Sequence, residues 1–123
     1  MPKVLIFEED EILFEYWMLD TEIILENADD EDFYHARIPQ EGLEILATAT
    51  DVKAVVVGLC ADPDDFQYSK GELLQDIRKL SPEVPIIAVS DLEENRRQIF
   101  LLFGASDTTG REGVSAILAK LLQ

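Results

Sequence analysis

The 123-residue chain has one cysteine, Cys60, so it cannot form an internal disulfide, and a core must hold it together. Cys60 reads as a small buried hydrophobe rather than a redox centre. Basic residues are scarce: 10 Lys and Arg stand against 26 Asp and Glu, a net charge of −16. A field this negative disfavours nucleic acid and anionic membrane surfaces, so neither is expected as a partner. Long hydrophobic runs are missing too. No stretch approaches the ~18 apolar residues of a membrane span. The opening Val4-Leu5-Ile6-Phe7 gives way at once to Glu8-Glu9-Asp10, unlike the apolar stretch of a signal peptide. With one thiol and no such segment, a cytoplasmic location is expected. No linker, repeat or low-complexity tract stands out.

What is present is one domain's worth of chain, 1–123, with an ordinary apolar fraction of 47%. The charge is uneven: residues 1–62 hold 16 acids and 3 bases, and residues 63–123 hold 10 acids and 7 bases. Short apolar runs alternate with helical patterns. Val4–Phe7, Ala54–Val57 and Pro85–Ser90 read as strands buried on both faces, and Phe33–Ile38 and Ser106–Thr109 as weaker ones. Helices are expected from Asp10 to about Glu26 and over Gln40–Ala49. Three more are expected from the capping-box patterns that begin at Ser69, Asp91 and Thr109. This βα alternation predicts an α/β fold: a doubly wound, five-stranded parallel sheet, order 2-1-3-4-5, with helices on both faces.

Ligands in such folds sit beyond the carboxyl ends of the strands. Here those ends carry Glu8-Glu9-Asp10, Gly58-Leu59, Ser90 and Arg111. Together with Lys3–Asp10, Gly42-Leu-Glu-Ile-Leu46, Pro85–Ser90 and Gly104-Ala105-Ser106-Asp107, this constellation resembles the receiver domain of two-component response regulators over nearly the whole chain. The resemblance implies a flavodoxin-like three-layer fold and a role in two-component signal transduction and phosphorelay. It also implies a parts list: a phosphoacceptor aspartate after the third strand, an acidic pair that holds Mg²⁺, a Ser/Thr after the fourth strand and a lysine after the fifth. Phosphoryl transfer is mostly positioning plus electrostatics, so each part matters.

Several parts are changed. The phosphoacceptor position falls on Gly58, or on Leu59 if Pro63 is aligned with the family's loop proline; neither has a nucleophile. Glu8 and Glu9 stand where aspartates are usual, and an extra methylene displaces each oxygen by about 1.3 Å against the strict octahedron of Mg²⁺. Arg111 stands near the lysine position, Thr108 where a switch aromatic is common, and Glu112 where a proline usually follows. The expectation is a degenerate receiver, or pseudo-receiver: a protein-protein interaction module with no enzymatic activity, no cofactor and no phosphorylation. The alternative is a phosphorylated receiver that uses a displaced carboxylate, Asp62, with a residual Mg²⁺ site at Glu8 and Glu9. Against that alternative, Asp62, Asp64 and Asp65 read as a turn cluster around Pro63, and Glu8–Asp10 as acids favouring the next helix's N-terminus. A flavodoxin-like cofactor enzyme would need a phosphate loop after the first strand, where this chain has three acids.

Two surfaces are candidates for a protein partner or a homodimer. On the first helix, Ile12, Tyr16, Leu19 and Ile23, flanked by Leu13, Trp17 and Ile24, are assigned to the core face. Phe14, Met18 and Leu25 then form a further stripe, either a contact surface or extra burial under a neighbouring element. The second candidate is the basic pair Arg96 and Arg97, either an output face or solvated partners of Glu93 and Glu94. Ser90 could bind an anion or simply end its strand. His35, in the second strand, is expected to lie far from the site.

Overall fold

The computed structural model of the chain describes residues 3–24, 30–58, 70–90 and 94–122. They form a parallel sheet of five strands: β1 Lys3–Phe7, β2 Phe33–Ala36, β3 Val52–Val57, β4 Ile86–Val89 and β5 Asp107–Thr109. Between them run α1 Glu11–Ile24, α2 Pro39–Thr48, α3 Lys70–Leu80, the short α4 Glu94–Arg97 and α5 Ile99–Leu102, and α6 Val114–Leu122. The strand order is β2-β1-β3-β4-β5. The fold is thus the doubly wound, flavodoxin-like α/β/α architecture expected from the alternation of elements.

Strand periodicity sorts the core into two layers. Val4 and Ile6 of β1, Ala54 and Val56 of β3, and Ile87 and Val89 of β4 face α1 and α6, where they meet Phe14, Trp17, Val114 and Leu118. Leu5, Phe7, Val55, Val57, Ile86 and Ala88 face the other way, onto Leu73, Leu74 and Ile77 of α3 and Leu43, Ile45 and Leu46 of α2. The central strands are buried on both sides, which is why they read as unbroken apolar runs. Gly42 belongs to the second layer: a Cβ there would fall 2.1 Å from the Phe7 ring, so α2 approaches β1 only because residue 42 has no side chain.

Local chemistry sets the helix ends. Asp10 caps α1, its Oδ1 accepting from the amides of Ile12 (2.9 Å) and Leu13 (3.3 Å). Pro39 opens α2, where its missing N–H and fixed φ are tolerated. The capping box expected at Thr109 does not form. Thr109 is the last residue of β5, its hydroxyl donates to the Gly110 carbonyl (3.1 Å), and a 3-10 turn, Arg111–Gly113, precedes α6. The box proposed at Ser69 and the one at Asp91 begin outside the described residues. The single helix expected after β4 is instead two short pieces, broken at Gln98.

The faces of α1 are largely exchanged relative to expectation: of the residues assigned to its core face, only Leu13 and Trp17 turn inward. Phe14, Trp17 and Thr21 are buried and Met18 is half-buried against the sheet, whereas Ile12, Tyr16, Leu19, Ile23 and Ile24 are exposed. Thr21 is the residue that misleads: it looks polar, but its hydroxyl donates to the Trp17 carbonyl at 2.7 Å, so burying it leaves no orphan. No helix among the described residues is long and apolar enough to cross a membrane.

Candidate functional site

The carboxyl ends of β1 and β3 lie side by side. Phe7 pairs with Val57 in register, and the Gly58 amide donates to the Phe7 carbonyl at 2.8 Å. Alternation then places Glu8 and Gly58 on the α1 side of the sheet, one step beyond the paired ends. Trp17 comes down from α1 onto this spot. A Cβ on Gly58 would lie 2.6 Å from Trp17 Cη2 and 2.7 Å from Glu8 Oε2. The indole and the carboxyl therefore fill the space that a side chain at position 58 would need. The Gly58 φ is not positive, so the restriction is one of room and not of backbone conformation.

Glu8 is 2% exposed and Trp17 1%. Glu8 Oε1 accepts from the Asp10 amide at 3.1 Å. Glu8 Oε2 and Trp17 Nε1 are buried without a hydrogen-bond partner among the described residues. Burial pushes the Glu8 carboxyl from 4.5 up to about 7, with the neighbouring charges of Glu9 and Asp10 adding to the rise. The Asp10 amide and the Arg111 charge act in the opposite direction. Near neutral pH the site thus holds a carboxyl about half protonated, packed on an indole.

These features do not suit Mg²⁺. Glu8 is buried and turned onto Gly58 and Trp17, and Glu9 is exposed. Among the described residues no three His, Cys, Asp or Glu side chains converge to hold a metal ion. Ser90 follows β4, and its amide donates to the Thr109 carbonyl at 3.0 Å. Arg111 is exposed in the 3-10 turn after β5, not inside the first turn of α6. Leu59, Cys60 and Asp62 lie outside the described residues, as does Leu25.

Two neighbours of the site were not legible beforehand. His35 is not remote. Its Nε2 donates to the Glu8 carbonyl at 2.7 Å, and its ring stacks on Phe14 with centroids 3.8 Å apart. The register that pairs Ile6 with His35 brings it there, and a parallel register is not visible in one strand's sequence. The second neighbour is Lys70, at the start of α3, whose ammonium donates to the Val89 carbonyl and lies 5.2 Å from the centre of the Phe100 ring. A lysine in a helix's first turn opposes the helix dipole, and that misplacement was the available signal.

Of the proposed contact residues, Phe14 and Met18 pack inward. The correction follows from the exchange of α1 faces described above. Arg96 and Arg97 both fall in α4; Arg97 is half-buried, and the Arg96 side chain lies outside the described residues.

The sequence matches no family model and no curated protein. The fold does match solved structures over nearly its full length. A response regulator receiver domain protein (CheY-like) from Methanospirillum hungatei JF-1 superposes with a TM-score of 0.73 at 21% identity, covering 98% of this chain and 94% of that one. A response regulator receiver domain protein from Clostridium thermocellum gives 0.75 at 15% identity, with 99% and 94% covered. The receiver domain of NtrX from Brucella abortus gives 0.73 at 13% identity, with 98% of each chain covered. The chain has the fold of these receiver domains.

Proposed function

We propose that this chain is a cytoplasmic signalling module on a receiver scaffold, which acts by binding a protein partner and not by accepting a phosphoryl group. The observation that carries this reading is Gly58. The position that would bear the acceptor carboxylate has no side chain, and the Trp17 ring and the Glu8 carboxyl occupy its space at 2.6 and 2.7 Å. An acceptor cannot be replaced by its neighbours, because its own oxygen is the atom that forms the bond to phosphorus. The burial of Glu8, with its carboxyl pushed up to about 7, further weakens its claim on Mg²⁺, whose carboxylate ligands must be ionised. On this reading the scaffold is kept for its surface, and the chain is not an enzyme.

The test uses the full chain with Mg²⁺ and beryllofluoride, followed through backbone amide shifts. The expected result is no cluster of perturbations at the carboxyl ends of the strands. Perturbations gathered around Ser90 and Asp62 would mean that a displaced carboxylate accepts the phosphoryl group and would overturn the proposal. Incubation with acetyl phosphate, read by intact mass, should likewise leave the chain unmodified.

A further inference from the structure

Helix α1 carries two apolar stripes, and the sheet covers only one of them. On the solvent side Ile12, Tyr16, Leu19 and Ile23 are 80%, 59%, 52% and 78% exposed. Their spacing of four, three and four residues is that of the a and d positions in a two-stranded helical seam. Eleven residues at 1.5 Å each make a stripe roughly 16 Å long. Single exposed hydrophobics are ordinary, but four large ones in line on one helix are not.

Charge selects what can cover this stripe. At 100° per residue, Glu15 and Asp20 flank it, each roughly 70° round the helix from its midline. Glu11 and Glu22 lie farther along the Glu15 side, Glu11 being ion-paired with Arg37. The helix contains no lysine or arginine. Two copies of α1, parallel or antiparallel, would therefore set carboxylates against carboxylates, in a chain whose net charge is already −16. A helix with an apolar seam and Lys or Arg at the flanking positions would meet the same edges with opposite charge.

We propose that the Ile12–Tyr16–Leu19–Ile23 stripe docks a basic amphipathic helix of another protein. This rests on the protein-binding reading of the chain and names its surface and the chemistry of its partner. Binding buries the seam, and Glu15 and Asp20 fix the partner's register and exclude a second copy of this chain.

The probe is a labelled synthetic peptide of about three heptads, with Leu at a and d and Lys at e and g. Its controls are a scrambled peptide of the same composition and one with Glu in place of Lys. Each is titrated into the full chain at physiological salt. The seam peptide should bind at least about tenfold more tightly than the scrambled one and perturb amides along α1. Leu19→Ser should weaken it by at least about tenfold without lowering the melting temperature. Glu15→Lys with Asp20→Lys should shift the preference toward the Glu peptide. Equal binding of the scrambled peptide would reduce the effect to bulk charge and overturn the proposal, as would indifference to Leu19→Ser. A dimer in sedimentation that Leu19→Ser dissolves would assign the stripe to a second copy. A drop in melting temperature for Leu19→Ser would assign it to this chain's own residues. Beryllofluoride binding would sink the phosphorylation-independent reading and leave the peptide result intact; failure of the peptide alone would leave that reading standing.

Discussion

The Trp17 indole occupies the place of a side chain on Gly58: a Cβ there would lie 2.6 Å from Cη2 and 2.9 Å from Cζ3 of the ring. Real Cβ contacts do not come this close, so either the ring or the strand end must move. Gly58→Ala is therefore expected to cost about 1–3 kcal/mol in urea denaturation, the range for overpacking a well-filled interior. Gly58→Asp should cost more, since it adds a second carboxyl beside Glu8, and should gain no mass from acetyl phosphate. Removing the ring makes room. Trp17→Ala and Gly58→Asp together should thus be less destabilising than the sum of the two single changes.

Glu8 gives the fold a pH dependence of definite sign. Its carboxyl titrates at about 7 in the folded chain against 4.5 for the free group. Below pH 4.5 both states are protonated and nothing is lost. Between 4.5 and 7 the unfolded chain ionises while the folded one holds its proton, so stability falls as pH rises, and above 7 the loss is complete. A shift of this size is worth of the order of 3 kcal/mol. Glu8→Gln keeps an oxygen for the Asp10 amide and removes the charge. It should raise stability by that order at pH 8 and leave it unchanged near pH 4. Denaturation midpoints of the two proteins across pH 4–8 check this, and the difference between them cancels the other carboxylates. Parallel curves would show that Glu8 titrates normally.

Those two residues mark how far the sequence could be read. The strands, their order and the layer architecture follow from β-branched runs such as Ala54–Val57 and from the alternation of elements, because burial on both faces leaves an unmistakable pattern. The place of Gly58 at the end of β3 was legible, since the apolar run Ala54–Val57 stops there. That Trp17 fills its space was not, because it depends on which side of α1 meets the sheet. Two apolar stripes lie on opposite sides of that helix, and periodicity alone weights them equally. Glu15 and Asp20, which bracket the Ile12 stripe, were the signal that it faces water. The proximity of His35 to Glu8 likewise depends on the register between β1 and β2, which no local pattern encodes.

The orientation of α1 can be checked by paired substitutions. Phe14 is buried against His35 and the sheet, so Phe14→Ala should cost about 3–5 kcal/mol. Ile23 is 78% exposed, so Ile23→Ser should change stability by less than about 0.5 kcal/mol. Thr21→Val keeps the volume and removes a hydroxyl together with its local bond, so it should lie within about 1 kcal/mol of the parent. Urea midpoints for the three variants decide the matter. A large cost at Ile23 with little at Phe14 would mean the helix sits the other way round.

Arg78 joins α3 to the segments that lead into β4 and β5, and its loss should loosen that edge of the sheet. Its Nε donates to the Gly104 carbonyl at 2.9 Å, and its Nη1 to the carbonyls of Val84 (2.6 Å) and Ser81 (3.2 Å). Nη2 reaches the Ser106 hydroxyl at 3.2 Å, which also accepts from the Ile86 amide at 3.0 Å. The carbonyl of Gly104 is presented by a backbone at φ 115°, where a side chain would be strained and its Cβ would meet Arg78 Cγ at 2.7 Å. A lysine offers one compact charge in place of this planar fork, so Arg78→Lys cannot serve three carbonyls on two loops at once. It should cost about 1–3 kcal/mol, and Arg78→Ala somewhat more, because hydrogen bonds from a charged donor are worth about 1.5–3 kcal/mol each and their acceptors would be orphaned. Hydrogen exchange locates the effect. The amides of Ile86 and Ser106, which bond across this junction, should exchange faster in Arg78→Lys, and that of Gly58, beyond the carboxyl end of β3, should not. Uniform acceleration across the sheet would mean that Arg78 contributes to global stability alone and not to this edge.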